Sequence, residues 1–381
     1  MTTATRTTLQ TNALSVHALQ IAVEEIAATD ILLQMYANGL AAQPDLPIPQ
    51  APTLPTHQQA LRKTIDQSYI QGVEPATFQC YADISAYCNE FNVFCGKLEQ
   101  LGYQLSAGDT NHTTQRAVAN ELSQALLVFI KVIQTNLSTN QQTMGLATSL
   151  QQSMAALQKQ FDADLQLVET LFHQGEIADL QAAVNAEFDA INKDNQQIAN
   201  GAVKGLKPVL EIMLGVVKAA GKILGGGGTA ESAPPPENGD DTFDLFIEGV
   251  KDAKHVNAEL DAIVDDVNRR IVAYGQLLMT LKMDQSRYAL VQALVQRVTA
   301  MSRASANSVD AFTKLHQGWQ SLADHLQELI VRLNDGAATG SEIITALQTA
   351  KDEIQQLHST VQYLQELGQL PVTQARLPVA A

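Results

Sequence analysis

The sequence predicts an all-α protein, an elongated bundle of long antiparallel helices with a small apolar head inserted between the two longest. Three observations carry this. Apolar residues make up 45% of the 381 positions but aromatics only 5%, and the apolar set is mostly Ala, Leu, Val and Ile. Proline is absent from 76–207 and from 237–370, so two long stretches lack the strongest helix breaker. Within both stretches apolar residues recur at steps of three and four. A compact α/β domain of this length would carry more Phe, Tyr and Trp, and a Gly or Pro in most loops.

The elements follow in order. Residues 8–40 read as a helix with Leu14, Leu19, Ile26, Leu33 and Leu40 on its apolar face. Five prolines between Pro44 and Pro55 then impose a stiff extended connection. A helical region over 57–106 follows, with a kink expected at Pro75, and 107–111 reads as a turn. Residues 112–202 read as one long helix. Its stripe of Leu150, Met154, Leu157, Phe161, Leu165, Val168 and Phe172 is unbroken, and 90 helical residues reach about 130 Å. The pattern resumes after 243 with Leu260, Ile263, Val267, Ile271, Tyr274, Leu278 and Leu281. Phe312, Leu315, Trp319, Leu322, Leu326, Leu329 and Leu333 form a heptad stripe, and 334–340 is a turn. Leu347, Ala350, Ile354, Leu357, Val361 and Leu364 repeat it before a frayed tail from Gly368. The expected organisation is a tail bundle of 1–202 and 248–381 with a head of 203–247.

That head differs in composition from the arms. Residues 201–249 hold ten of the 22 glycines, four of the 12 prolines and no Gln. Pro208 opens a segment suited to a helix, with Glu211, Lys218 and Lys222 within about 40° of one another. Val209, Leu210, Ile212, Met213, Leu214, Val216, Val217, Ile223 and Leu224 spread over roughly 200° of the remaining face. Gly225, Gly226, Gly227 and Gly228 end the segment and are the candidate hinge. Phe243 and Phe246 head a second apolar patch on the return. Seventeen residues with three charges are too short and too polar for a permanent transmembrane helix, but they suit an interfacial one. An ordinary buried helix is the plain alternative for the segment by itself. Its place at the tip of a predicted rod, with little protein to pack against, favours a membrane-interacting role for these side chains.

Other chemistry is scarce. A balance of 40 acidic to 24 basic residues, net −16, disfavours nucleic acid as a partner. Met1–Gln20 is polar and shows no secretory signal, so the route of any export is unread. Cys80, Cys88 and Cys95 would lie about 10–12 Å apart along one helix, too far for a disulfide, and read as buried free thiols. Gly215–Lys222 departs from a phosphate loop in spacing, and Ile223 stands where a Ser or Thr belongs. Glu169 and His173 lack the Glu-x-x-His pairing of metal bundles. His316 and His325, which flank Trp319, read as solvated or partly buried. No nucleophile elbow or zinc-protease motif occurs, so neither an enzyme nor a cofactor is expected.

The N-terminal third adds a resemblance. Gln34-Met35-Tyr36-Ala37 leads to Gln43-Pro44 and a short loop; His57-Gln58-Gln59-Ala60-Leu61-Arg62 opens the next helix. Pro75 and the helically spaced Ile84, Tyr87, Asn89, Phe91 and Leu98 follow. This order resembles the haemolysin BL and non-haemolytic enterotoxin family of α-helical pore-forming toxins, within the cytolysin A-like group. The resemblance implies a secreted soluble form with a helical tail and a head that is released on contact with a target-cell membrane. It also implies homologous partner components in a two- or three-part system, and a homo-oligomeric pore. The alternative is a non-toxic coiled-coil scaffold, which predicts a stable dimer without membrane affinity.

Overall fold

The computed structural model describes residues 14–41, 43–107, 112–172, 176–203 and 258–368, and every regular element among them is helical. In chain order these are α1 (His17–Ala41), α2 (Leu54–Thr64), a π-helix (Ile65–Val73), α3 (Glu74–Ser106), α4 (His112–Glu169), α5 (Ala178–Val203), α6 (Ala258–Thr280), α7 (Met283–Asn334) and α8 (Gly340–Gly368). The all-α class follows from the residues. Few breakers and continuous apolar stripes leave helices that reach stability by packing those stripes together.

The chain divides into two compact units. One comprises Met1–Ile26, Pro75–Gly145 and Val309–Gln369, and the other Ala27–Glu74, Leu146–Ser308 and Leu370–Ala381. Contacts within the first unit show its helices running antiparallel. Cys80 and Lys97 of α3 meet Thr143 and Glu121 of α4. Ser123 and Asn140 of α4 meet Asn334 and the Phe312 carbonyl of α7. Both heptad stripes expected from the sequence lie in its core, with Phe312 to Leu333 and Leu347 to Leu364 all at most 3% exposed.

Aromatic packing closes this core. Trp319 stands edge-on to Tyr87 at 5.1 Å, and Phe129 gathers Tyr87, Phe91 and Phe94 within 6.2 Å. The turn between α7 and α8 places Gly336 at φ +67°, a left-handed conformation that glycine adopts without strain. Thr339 and Glu342 then exchange reciprocal hydrogen bonds as a capping box for α8 (Glu342 N to Thr339 Oγ1 3.3 Å, Thr339 N to Glu342 Oε2 2.9 Å). A Cβ added at Gly340 would overlap the Gly102 carbonyl oxygen, so the start of α8 sits against the end of α3 backbone to backbone.

The second unit contains the proline-rich connection. Leu46, Ile48 and Ala51 of that loop are buried. Gln58 holds it by accepting from the Leu46 N–H at 2.8 Å and donating to the Pro44 carbonyl at 3.0 Å. Arg62 adds a hydrogen bond to the Gln43 carbonyl. Gln43, Gln58 and Arg62, which carry the resemblance in the sequence, are therefore the residues that shape this loop. Asp164 of α4 anchors its far end, accepting from Thr53 Oγ1 at 2.7 Å and contacting His57 Nδ1 at 2.6 Å.

Three expectations need correction. In place of a break at Pro75, a nine-residue π-helix (Ile65–Val73) runs directly into α3. Pro75 is the second residue of α3, and just before it Glu74 N–H bonds back five residues to the Tyr69 carbonyl, the π-type pattern. The stretch 112–202 is two helices. α4 ends at Glu169, where Thr170 Oγ1 takes the Leu167 carbonyl at 2.6 Å, and α5 starts at Ala178. The return arm is broken between α6 and α7, where Gln285 accepts from Lys282 N–H and Ser286 Oγ donates to the Leu278 and Lys282 carbonyls. The described part of the helix expected over 8–40 is His17–Ala41, with Leu14 buried ahead of it.

Candidate functional site

The residues expected to meet a membrane, Val209, Leu210, Ile212, Met213, Leu214, Val216, Val217, Ile223, Leu224, Phe243 and Phe246, lie outside the described residues. So do the candidate hinge Gly225–Gly228, and the tail from 369 onward. The structure describes the two helices that carry the chain into and out of 204–257. α5 and α6 pack on each other in the second unit. α5 buries Val184, Phe188, Ile191 and Ile198 at steps of four, three and seven, and Val203 near its end; α6 buries Val267, Tyr274 and Leu278.

Phe188 meets Tyr274 edge to face at 5.3 Å, and the Tyr274 hydroxyl donates to the Ala289 carbonyl at 2.8 Å. One guanidinium ties the polar side of the pair. Arg270 lies 3.4 Å from Glu187, 3.6 Å from Asp194 and 2.8 Å from Asp266. Hydrogen bonding to Asp266 holds Arg270 protonated, while burial and then the Asp266 charge raise the Asp194 carboxyl. The base of the 204–257 segment is thus a helix pair fixed by one aromatic contact and a shared cation.

Sequence reasoning did not find a buried carboxylate in the same unit. Asp30 of α1 accepts from the Tyr69 hydroxyl at 3.0 Å, and Gln34 Nε2 reaches both Asp30 Oδ2 at 3.3 Å and Glu74 Oε1 at 3.2 Å. Burial and the nearby Glu74 raise Asp30 to about 7, against the lowering effect of its hydrogen bonds from Tyr69 and Gln34. The available signal was the run Leu61, Ile65, Tyr69, Val73, Thr77, five residues at steps of four, each about 1% exposed. Four residues of α-helix overshoot a full turn by about 40°, so such a run drifts off one face. A π turn holds more residues, and its opposite drift keeps Tyr69 on the core side facing Asp30.

The cysteines behave as inert core residues. All three are buried and free on α3, and burial pushes the Cys80 and Cys88 thiols up to about 11 and about 12. Glu169 accepts from the Tyr288 hydroxyl, and His316 and His325 are partly buried. Among the described residues no group of three His, Cys, Asp or Glu is placed to hold a metal. One described helix, α4, is long and apolar enough over part of its length to cross a membrane, and its Leu122, Leu126, Phe129 and Ile133 lie in the first unit's core.

Residues 13–194 match the family model described as Bacillus haemolytic enterotoxin (HBL). No curated protein matches the chain in sequence. The fold is similar to the Bacillus cereus HblL1 toxin component, at TM-score 0.65 and 13% identity over 93% of this chain and 98% of that one. It is similar to soluble SmhA of the tripartite α-pore forming toxin of Serratia marcescens, at TM-score 0.61 and 16% identity over 93% and 95%. It is also similar to soluble AhlB of the tripartite α-pore forming toxin of Aeromonas hydrophila, at TM-score 0.61 and 16% identity over 92% and 93%. At such identities these structures speak to the fold.

Proposed function

We infer from the match over residues 13–194 that this chain is a relative of the haemolysin BL and non-haemolytic enterotoxin family of α-helical pore-forming toxins, which is not an enzyme family. On that premise we propose that it is a secreted toxin component whose 203–247 head enters a target-cell membrane. It oligomerises there, together with homologous components of a two- or three-part system. The observation that supports this reading is one of composition. A Gly-rich, Gln-free segment with a wide apolar face falls between α5 and α6, in a chain otherwise built from narrow-striped helices.

Moving the nine large apolar side chains of 209–224 out of water amounts to at most about 10–25 kcal/mol. That figure is the ceiling on what a bilayer could gain from these side chains. Lys218 and Lys222 lie on the polar face, where anionic headgroups would meet them, and the net charge of −16 opposes non-specific adsorption elsewhere. AhlB has also been solved as a pore, and this chain is similar to that form at TM-score 0.51 and 18% identity over 92% of this chain and 96% of that one.

Erythrocyte lysis and dye release from liposomes test the proposal, with the full chain and a 209–228 deletion, each alone and with the proteins encoded beside it. The full chain is expected to bind membranes and to support release, and the deletion to lose release while its helical content persists. Unchanged lysis by the deletion, or no membrane binding by the full chain in any combination, would overturn the proposal.

A further inference from the structure

We propose that Asp30 and Glu74, two carboxyl groups joined through the Gln34 amide, form a proton-operated lock on the π-helix of the second unit. The lock stands on the geometry of the π turn. Glu74 N–H bonds back five residues to the Tyr69 carbonyl. Those same two residues reach α1: the Tyr69 hydroxyl meets Asp30 Oδ1 at 3.0 Å, and Glu74 Oε1 meets Gln34 Nε2 at 3.2 Å. Asp30 and Gln34 are four apart and share one face of α1, where Gln34 Nε2 also reaches Asp30 Oδ2 at 3.3 Å. In an α-helix two residues five apart point about 140° away from each other, so Tyr69 and Glu74 would not both meet that face. The π turn brings them together, and the two contacts last only while it does.

Among the described residues no cation answers the pair. Glu74 is the charge that acts on Asp30, beside the hydrogen bonds from Tyr69 and Gln34. Charged groups on the neighbouring elements are engaged elsewhere or face solvent. On α1, Glu24 accepts from Gln20 and Glu25 pairs with Lys314. On α2, Arg62 pairs with Asp45 and Lys63 is exposed; on the π-helix, Asp66 accepts from Gln71. Arg297 and Arg303 of α7 act on Tyr36. A protonated Asp30 is fully satisfied. It donates from Oδ1 to the Tyr69 hydroxyl, which donates onward to the Asp30 carbonyl at 3.3 Å, while Oδ2 keeps the Gln34 N–H. Loss of the proton sets a second negative charge beside Glu74 in a site shielded from water. Burial, and then the Glu74 charge, raises Asp30 to about 7, and burial raises Glu74 as well. Acid therefore closes the lock. A rise through neutral pH strains it until Tyr69 and Glu74 leave α1 and the π turn relaxes towards α-helix. α2 and the proline-rich connection directly precede the π-helix, so they gain freedom with it.

Hydrogen exchange of the full chain tests the lock, read on peptides within 65–74 at about pH 5 and about pH 8.5 and corrected for the intrinsic pH dependence of amide exchange. Protection there should fall about tenfold at the higher pH. Asp30→Asn, which keeps the size of the side chain and cannot ionise, should hold its protection at both values. Glu74→Gln should shrink the loss, because the remaining carboxylate then faces an amide. Protection independent of pH in the natural chain overturns the proposal, and so does a loss of unchanged size in Asp30→Asn or Glu74→Gln. An equal loss across Phe312–Leu333 marks global unfolding and overturns it too. If Asp30→Asn does not fold, the natural chain and Glu74→Gln, at a half-buried position, decide. The readout needs no membrane, so its outcome is separate from that of the proposed function.

Discussion

In the first unit Trp319, Tyr87, Phe91 and Phe129 close a core in which rings meet edge-on or tilted. In the second unit Asp30 and Asp164 sit buried among apolar helices, each held by specific hydrogen bonds from side chains distant in sequence. Similar Ala-, Leu- and Gln-rich helices thus reach definite packing by two chemistries. A core of rings is sensitive to volume and indifferent to solvent ions. A core that contains buried charges is sensitive to protons and counter-ions, because each charge must be compensated where it stands. The unit built the second way is the one whose α5 and α6 lead into 204–257.

The sharpest way to break this contrast is to remove volume from the first unit. Trp319→Ala should cost about 3–5 kcal/mol in guanidinium unfolding. A cost under about 1 kcal/mol would show that the ring cluster does not hold the unit. A smaller effect is expected from Asp164→Ala in the second unit, about 1–3 kcal/mol, because it strands the Thr53 hydroxyl and His57. Amide exchange should then quicken first in the proline-rich connection and α2, while the first unit keeps its protection.

The least costly change is Asp30→Asn, whose signature is a slope against pH. Asp30 is raised from about 3.8 to about 7 in the folded chain, so the folded state holds its proton more tightly. Its contribution is fully present below the unfolded value and is lost as pH rises through the folded value. Stability of the natural chain should therefore decline between about pH 4 and pH 7, and Asp30→Asn should flatten that decline in urea midpoints. An unchanged slope in the variant would place the pH dependence elsewhere.

Much of the fold was legible because the signal was periodic. The stripes at Leu150–Val168, Phe312–Leu333 and Leu347–Leu364 need only a helix and a partner, and each is buried as spaced. Breaks were harder to read. The α4–α5 and α6–α7 interruptions contain no proline, and side-chain bonds from Thr170 and Ser286 to nearby carbonyls mark them instead. The π-helix was hidden for a related reason. Its run of fours looks like an ordinary apolar face until the drift of an α-helix is added up over five positions. The polar partners in the second unit, Asp30 with Tyr69 and Asp164 with His57, are 39 and 107 residues apart, and no local spacing connects them. The candidate head lies outside the described residues and rests on contrast of composition alone.

The one tryptophan gives the protein a built-in optical reporter with a defined field of view. Trp319 is 1% exposed and stacked edge-on against Tyr87, so its emission should be blue-shifted and poorly quenched by iodide. It belongs to the first unit and to no other. Fluorescence recorded while the protein meets a lipid bilayer would therefore follow that unit alone. A constant spectrum would mean that the ring-packed core travels through the transition as a rigid cargo, and a red shift that it is unpacked on the way.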